Sequence, residues 1–129
     1  MITSADVVRA LRGCESVTRY LKPDKNGNLP IYQIVSADEK AYPHMAVFET
    51  KRDPLFHSDD APVTDEVCFR INLYSLENNL HEISRAVRAC LDAAGFDNVT
   101  IGADGWSVSL GLYTKTVSCS CWEQMEGVE

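Results

Sequence analysis

The stretch 65-DEVCFRINLYSLENNLHEISRAVRACLDAAG-95 decides the fold. In its first part Val67, Phe69, Ile71 and Leu73 alternate with Cys68, Arg70, Asn72 and Tyr74. That is the period-two pattern of a strand, and it predicts a strand over Asp65 to Ser75. One face is apolar and the other mixed, as in a sheet covered on one side only. The period then changes. Leu80, Ile83, Val87, Leu91 and Ala94 recur at helical spacing, with Cys90 beside the stripe and Arg85 and Arg88 facing away. Asn78 or Asn79 can cap this helix, Glu82 stands where a capping box places its carboxylate, and Gly95 is a good stop.

Upstream, Thr3 to Arg12 reads as a shorter helix. Thr3 or Ser4 can cap it, Asp6 suits the positive end of the helix dipole, and Val7, Val8 and Leu11 form an apolar stripe that Gly13 ends. Pro23 to Asn28 is a turn, because Asn26-Gly27 tolerates positive φ. An extended piece follows from Leu29 to Val35, where Pro30 favours an edge strand or a strand start. His44 to Lys51 reads as a strand with Met45 and Val47 on one face and Ala46 and Phe48 on the other. Residues Arg52 to Pro62 then read as a long polar loop, with Pro54, Pro62 and the acidic pair Asp59-Asp60.

Downstream, Val99 to Ile101 is a short strand and Trp106 to Trp122 a longer one. Trp106, Val108, Leu110 and Leu112 keep one phase, while Val117, Cys119 and Cys121 keep the other. A bulge or a turn is therefore expected at Tyr113 to Thr116. The order predicts a single α+β domain over residues 1–129. Its sheet is mostly antiparallel, with a mixed sheet as the alternative, and two helices pack on one face.

A chain of 129 residues buries enough surface for one core. The net charge of −7 argues against a nucleic-acid-binding surface, which needs a basic stripe. The opening MITSADVV lacks the blocks of a signal peptide, and no stretch is apolar enough to span a bilayer, so a cytoplasmic site of synthesis is expected. An odd set of five cysteines fits reduced thiols.

The chemistry-bearing residues form no constellation. Cys119-x-Cys121 is too close for a zinc knuckle, and both thiols fit a core layer, as do Cys68 and Cys90. His44, His57 and His81 are scattered, and His81 fits a solvated helix face. The carboxylate pairs Asp59-Asp60 and Asp65-Glu66 read as solvated. Neither a phosphate-cradling glycine loop nor a nucleophile elbow occurs. No catalytic residue, cofactor or metal is therefore expected. One anomaly stands out: Leu55-Phe56, an apolar pair inside a polar segment. It either folds back on its own domain or docks a partner. On the second option the candidate assembly interface comprises Arg52, Leu55, Phe56, His57, Asp59 and Asp60.

Taken together, these segments resemble the tail-completion, or tail-terminator, proteins of long-tailed bacteriophages and prophages. The resemblance is carried by the short N-terminal helix, Ala41-Tyr42-Pro43-His44-Met45-Ala46-Val47, the strand Phe69-Arg70-Ile71-Asn72-Leu73-Tyr74-Ser75, the helix from Asn79 to Ala94 and the closing strands. Many relatives have Trp where this chain has Tyr74, and Cys119-Ser120-Cys121-Trp122 has no counterpart in the pattern. The resemblance implies a structural, non-enzymatic protein of the virion, made in the host bacterial cytoplasm. It implies a ring of copies, commonly a hexamer, that stops tail-tube growth and forms the head-tail joining surface. Its partners would be itself, the tail tube protein and a head-completion or connector protein, with DNA only passing through an acidic lumen and no membrane. Two alternatives stand beside it: a head-side connector or minor head protein, and a small dimeric α+β ligand-binding or regulatory domain.

Overall fold

The computed structural model describes residues 2–34, 41–56 and 64–124, with backbone alone for 54–56, 64 and 124. Helix α1 spans Ser4–Arg12 and α2 spans Glu15–Thr18. Strands β1 (Ile31–Gln33), β2 (His44–Phe56) and β3 (Thr64–Ser75) follow, then α3 (Leu80–Ala93), β4 (Asp97–Ile101), β5 (Gly105–Ser107) and β6 (Leu112–Gln124). The strands form one sheet in the order β1-β2-β3-β6-β4, with β5 also paired to β6. Only the β1–β2 pair is parallel. The sheet is thus mixed and mostly antiparallel, in a single α+β domain.

Strand alternation builds the core. Met45 and Val47 of β2, Val67, Phe69, Ile71 and Leu73 of β3, and Val117, Cys119 and Cys121 of β6 pack in one cluster. Val7, Val8 and Leu11 of α1 and Leu80, Ile83, Val87 and Leu91 of α3 close over them. Burial of this apolar surface is the main term holding the layers together. The α3 stripe ends at Leu91, because Ala94 is exposed beyond the last turn. The helices therefore cover one sheet face, as expected, and the short α2 is an element that the sequence pattern did not announce.

Local chemistry explains the element ends. Thr3 caps α1 in a capping box with Asp6: the Thr3 backbone N–H donates to Asp6 Oδ2 at 2.7 Å. For α3 the N-cap falls at Asn79, as expected, but the capping box does not form. Asn79 makes no capping bond to the helix; its Oδ1 accepts from the Ser75 hydroxyl at 2.7 Å, tying the helix start to the end of β3. Gly95 ends α3 with φ +92, in the left-handed region that favours glycine. In the turn before β1, Asp24 accepts from the backbone N–H of Asn26 at 2.8 Å and of Asn28 at 3.0 Å, and from the Tyr32 hydroxyl at 2.8 Å. This is the side-chain-to-backbone turn chemistry of Asp.

Three expectations are corrected. Arg52 to Phe56 is not loop: β2 continues through Phe56, paired with β3 as far as Phe56–Thr64, with a register shift between Pro54 and Phe56 that leaves Leu55 unpaired in the ladder. The break in the last long strand lies at Val108 to Gly111, before Tyr113, so two strands meet in a hairpin. Finally, Asp65 is buried, not solvated.

Candidate assembly surface

The residues singled out from sequence separate into two groups. His57, Asp59 and Asp60 lie outside the described residues. Arg52, Leu55 and Phe56 lie on β2, and for Leu55 and Phe56 only the backbone is described. A register shift between Glu49 and Lys51 gives β2 one extra residue, Thr50. Such a bulge reverses the facing of everything after it. Arg52 now pairs with Val67 and so points to the helix-covered face. There its Nη1 donates to Glu123 Oε2 at 2.8 Å and its Nη2 to Glu49 Oε1 at 2.8 Å and to the Ile2 carbonyl. Ile2 N–H in turn donates to Glu123 Oε1 at 3.1 Å. Partial burial pushes the Glu123 carboxyl up, but Arg52 and the Ile2 N–H outweigh it and hold it below its ordinary value. Arg52 is therefore an internal clamp between the N-terminal segment, β2 and β6.

The surface that stands out is at the other end of the sheet. In the β5–β6 hairpin, Trp106 is 54 % exposed, Val108 86 % and Leu110 66 %. Leu76, just past β3, is 61 % exposed, and Ser75 pairs with Tyr113, so all four side chains sit at one sheet end. The stretch Gly105 to Thr114 contains no charged residue, in a chain of net charge −7. Trp106 meets Tyr113 edge-to-face, with ring centroids 4.8 Å apart. Gly111, at φ +66, donates its N–H to the Ser107 carbonyl at 2.7 Å and closes the turn. Close approach also matters at Gly102 and Gly105, where an added Cβ would strike the hydroxyls of Thr116 and Thr114. Beside the hairpin lies a cleft of about 390 Å³, lined by Asn78, Leu80, Asp104, Trp106 and Tyr113. At its rim buried Lys115 donates to Asp104 at 2.6 Å.

Sequence reasoning missed this surface because Trp106, Val108, Leu110 and Leu112 keep strand phase across a turn. Only Leu112 is buried. The signal that was available is the glycine pair Gly105 and Gly111 bracketing Ser107 and Ser109, small residues that suit a turn.

The remaining candidates have structural explanations. His44 is buried on the face opposite the helices. Its ring stacks on Tyr42 and tilts against Tyr74, both with centroids 4.9 Å away, and its Nδ1–H donates to the Ala41 carbonyl at 2.9 Å. With Tyr32 edge-on at 6.2 Å, this aromatic corner fastens the chain before β2 to the sheet. Cys119 and Cys121 are buried in the core as expected, and burial pushes the Cys119 thiol up to about 12. Cys68, by contrast, is only half-buried, on the opposite face. His81 is exposed. Among the described residues no three His, Cys, Asp or Glu side chains group as a metal site. Among them, too, no helix is long and apolar enough to cross a membrane. No protein-family model matches the chain, and neither does any curated protein.

Proposed function

We propose that this chain is a structural subunit of a tail-completion ring of a long-tailed phage or prophage. In that role copies of the chain, commonly six, cap the tail tube and present the surface that the head-side connector meets. The role is architectural rather than enzymatic, and its place is the head-proximal end of the tail. The observation that carries the assembly part is the uncharged β5–β6 hairpin with Trp106, Val108 and Leu110 in solvent. Large apolar side chains clustered at an exposed tip favour burial against a partner. The phage part is supported by the sequence resemblance, carried by Tyr42-Pro43 and the β3-to-α3 passage.

Electron microscopy of the purified chain mixed with tail tubes tests the proposal. A cap on one tube end supports it; bare tube ends, together with tight binding of a small molecule, would sink it. The sheet face away from the helices favours a second reading. It leaves Arg70, Ser118 and Trp122 exposed, with Arg70 over the Phe48 ring, and suits a dimer formed sheet to sheet. A two-fold dimer that ignores tube ends would decide for that reading.

A further inference from the structure

The charges of this chain are segregated. Residues 2–34 and 76–96, which carry the three helices, hold seven Lys and Arg against six Asp and Glu. The described strands and their connections, 41–56, 64–75 and 97–124, hold four against seven. Within the sheet the acid collects where β2, β3 and β6 run together, at Glu49, Asp53, Asp65, Glu66 and Glu123. Lys51 and Arg52 are the cations there, and both are already engaged. Lys51 Nζ lies 3.7 Å from Asp53 and 3.5 Å from Glu66, and Arg52 holds Glu49 and Glu123. Carboxylates remain in excess, and Asp53 and Glu49 are exposed.

The helix layer offers the complement. Between α2 and α3 a depression of about 370 Å³ is lined by Arg19, Tyr20, His81, Glu82, Arg85 and Ala86. The Arg19 guanidinium lies 5.2 Å from the centre of the Tyr20 ring, a contact that orients its planar donor fork. Among the described residues Arg19, Arg85 and Arg88 are exposed and take part in no ion pair. Guanidinium groups recognise carboxylates in pairs of parallel hydrogen bonds. The groove runs along His81 to Ala89 of α3, which leaves the Ser75 end of β3, whereas the acidic end is at Asp65 and Glu66. The two surfaces are thus separate parts of the molecule.

We infer that copies of the chain dock head to tail, the acidic β2–β3–β6 end of one copy meeting the α2–α3 arginine groove of the next. A two-fold contact through the sheet end would oppose carboxylates to carboxylates, whereas the head-to-tail contact pairs unlike charge. It is heterologous, the kind that closes into a ring at the right rotation. The inference rests on the self-assembly reading above and adds the two faces and their order.

Two half-blocked proteins test it. Arg19→Gln with Arg85→Gln removes the two groove arginines, and Asp53→Asn with Glu66→Gln removes two carboxylates of the acidic end; circular dichroism checks that each stays folded. Association is read by light scattering over a concentration series at low salt, and on tail tubes if the wild type assembles only there. The wild type is expected to associate, less so as salt is raised. Each variant alone should associate at least about tenfold more weakly. Mixed, they should form a one-to-one pair that grows no further, because each supplies the face that the other lacks. Wild-type assembly matched by both variants, or a mixture that grows like the wild type, overturns the docking inference alone. A wild-type chain that stays monomeric at every concentration and on tubes overturns the self-assembly reading with it.

Discussion

Arg52 meets Glu123 at 2.8 Å across the end of the sheet because one extra residue in β2, Thr50, turns the arginine to the helix-covered side. With the Ile2 backbone, which bonds to both side chains, the contact joins three distant pieces of chain, and both side chains are mostly shielded from solvent. Removing one partner leaves the other charge poorly solvated, and that loss exceeds the net value of the pair. Arg52→Ala is expected to cost about 1–3 kcal/mol, read as a lower urea midpoint at unchanged slope. The same contact sets an acid response. Glu123 has a folded-state value below its ordinary 4.5, so its contribution is present above that value and lost as pH falls through the depressed one. Stability should hold steady at neutral pH and decline once the solution is acidified below about 4.5. Glu123→Gln should flatten that decline. A decline equally steep in the variant would remove Glu123 from the explanation.

The connection from β4 to β5 depends on close backbone approach. A methyl group at Gly102 meets the Thr116 hydroxyl in β6. Gly102→Ala is expected to cost about 1–3 kcal/mol through overpacking. The double change with Thr116→Ala should recover most of the loss, since neighbours in contact are not additive. Thermal unfolding of the two proteins checks this, and equal loss in both would place the strain elsewhere.

The five thiols should differ in reactivity. Cys14 is half-exposed, and its bond with the Ser16 hydroxyl at 3.1 Å leads the effects that hold its thiol below the ordinary value. Burial pushes Cys90 and Cys119 up to about 12 and raises Cys121 as well. Thiolate is the reactive form. Under native conditions a maleimide should therefore modify Cys14 first, while Cys119 is modified only on unfolding. Mass spectrometry of the time course reads the order. Early modification of Cys119 would contradict the core described above.

How far the sequence carried this picture depends on the range of the physics. Val67 to Leu73 and Leu80 to Leu91 were legible because alternation and helical spacing are local signals. The α1 start at Thr3 and the stop at Gly95 were legible for the same reason. Arg52 was not, because the bulge at Thr50 is fixed by pairing with Cys68 and Phe69, many residues away. Polar residues and Pro54 then made a paired strand read as loop. His44 reads as a strand start, and only folding brings Tyr74 and Tyr32 against it. The hairpin hid for the opposite reason: its local pattern was too regular. Val108 and Leu110 keep the alternation of a core strand, yet they occupy a turn.

The central claim is that copies of this chain close a growing tail tube. The direct measurement is the length distribution of tubes polymerising from tail tube protein, with and without the chain. Wild-type protein is predicted to arrest growth and to leave tubes with one capped end. The variant Val108→Ser with Leu110→Ser, altered only in the exposed turn, is predicted to let growth continue. Tubes that lengthen equally with and without the wild-type chain would contradict the account.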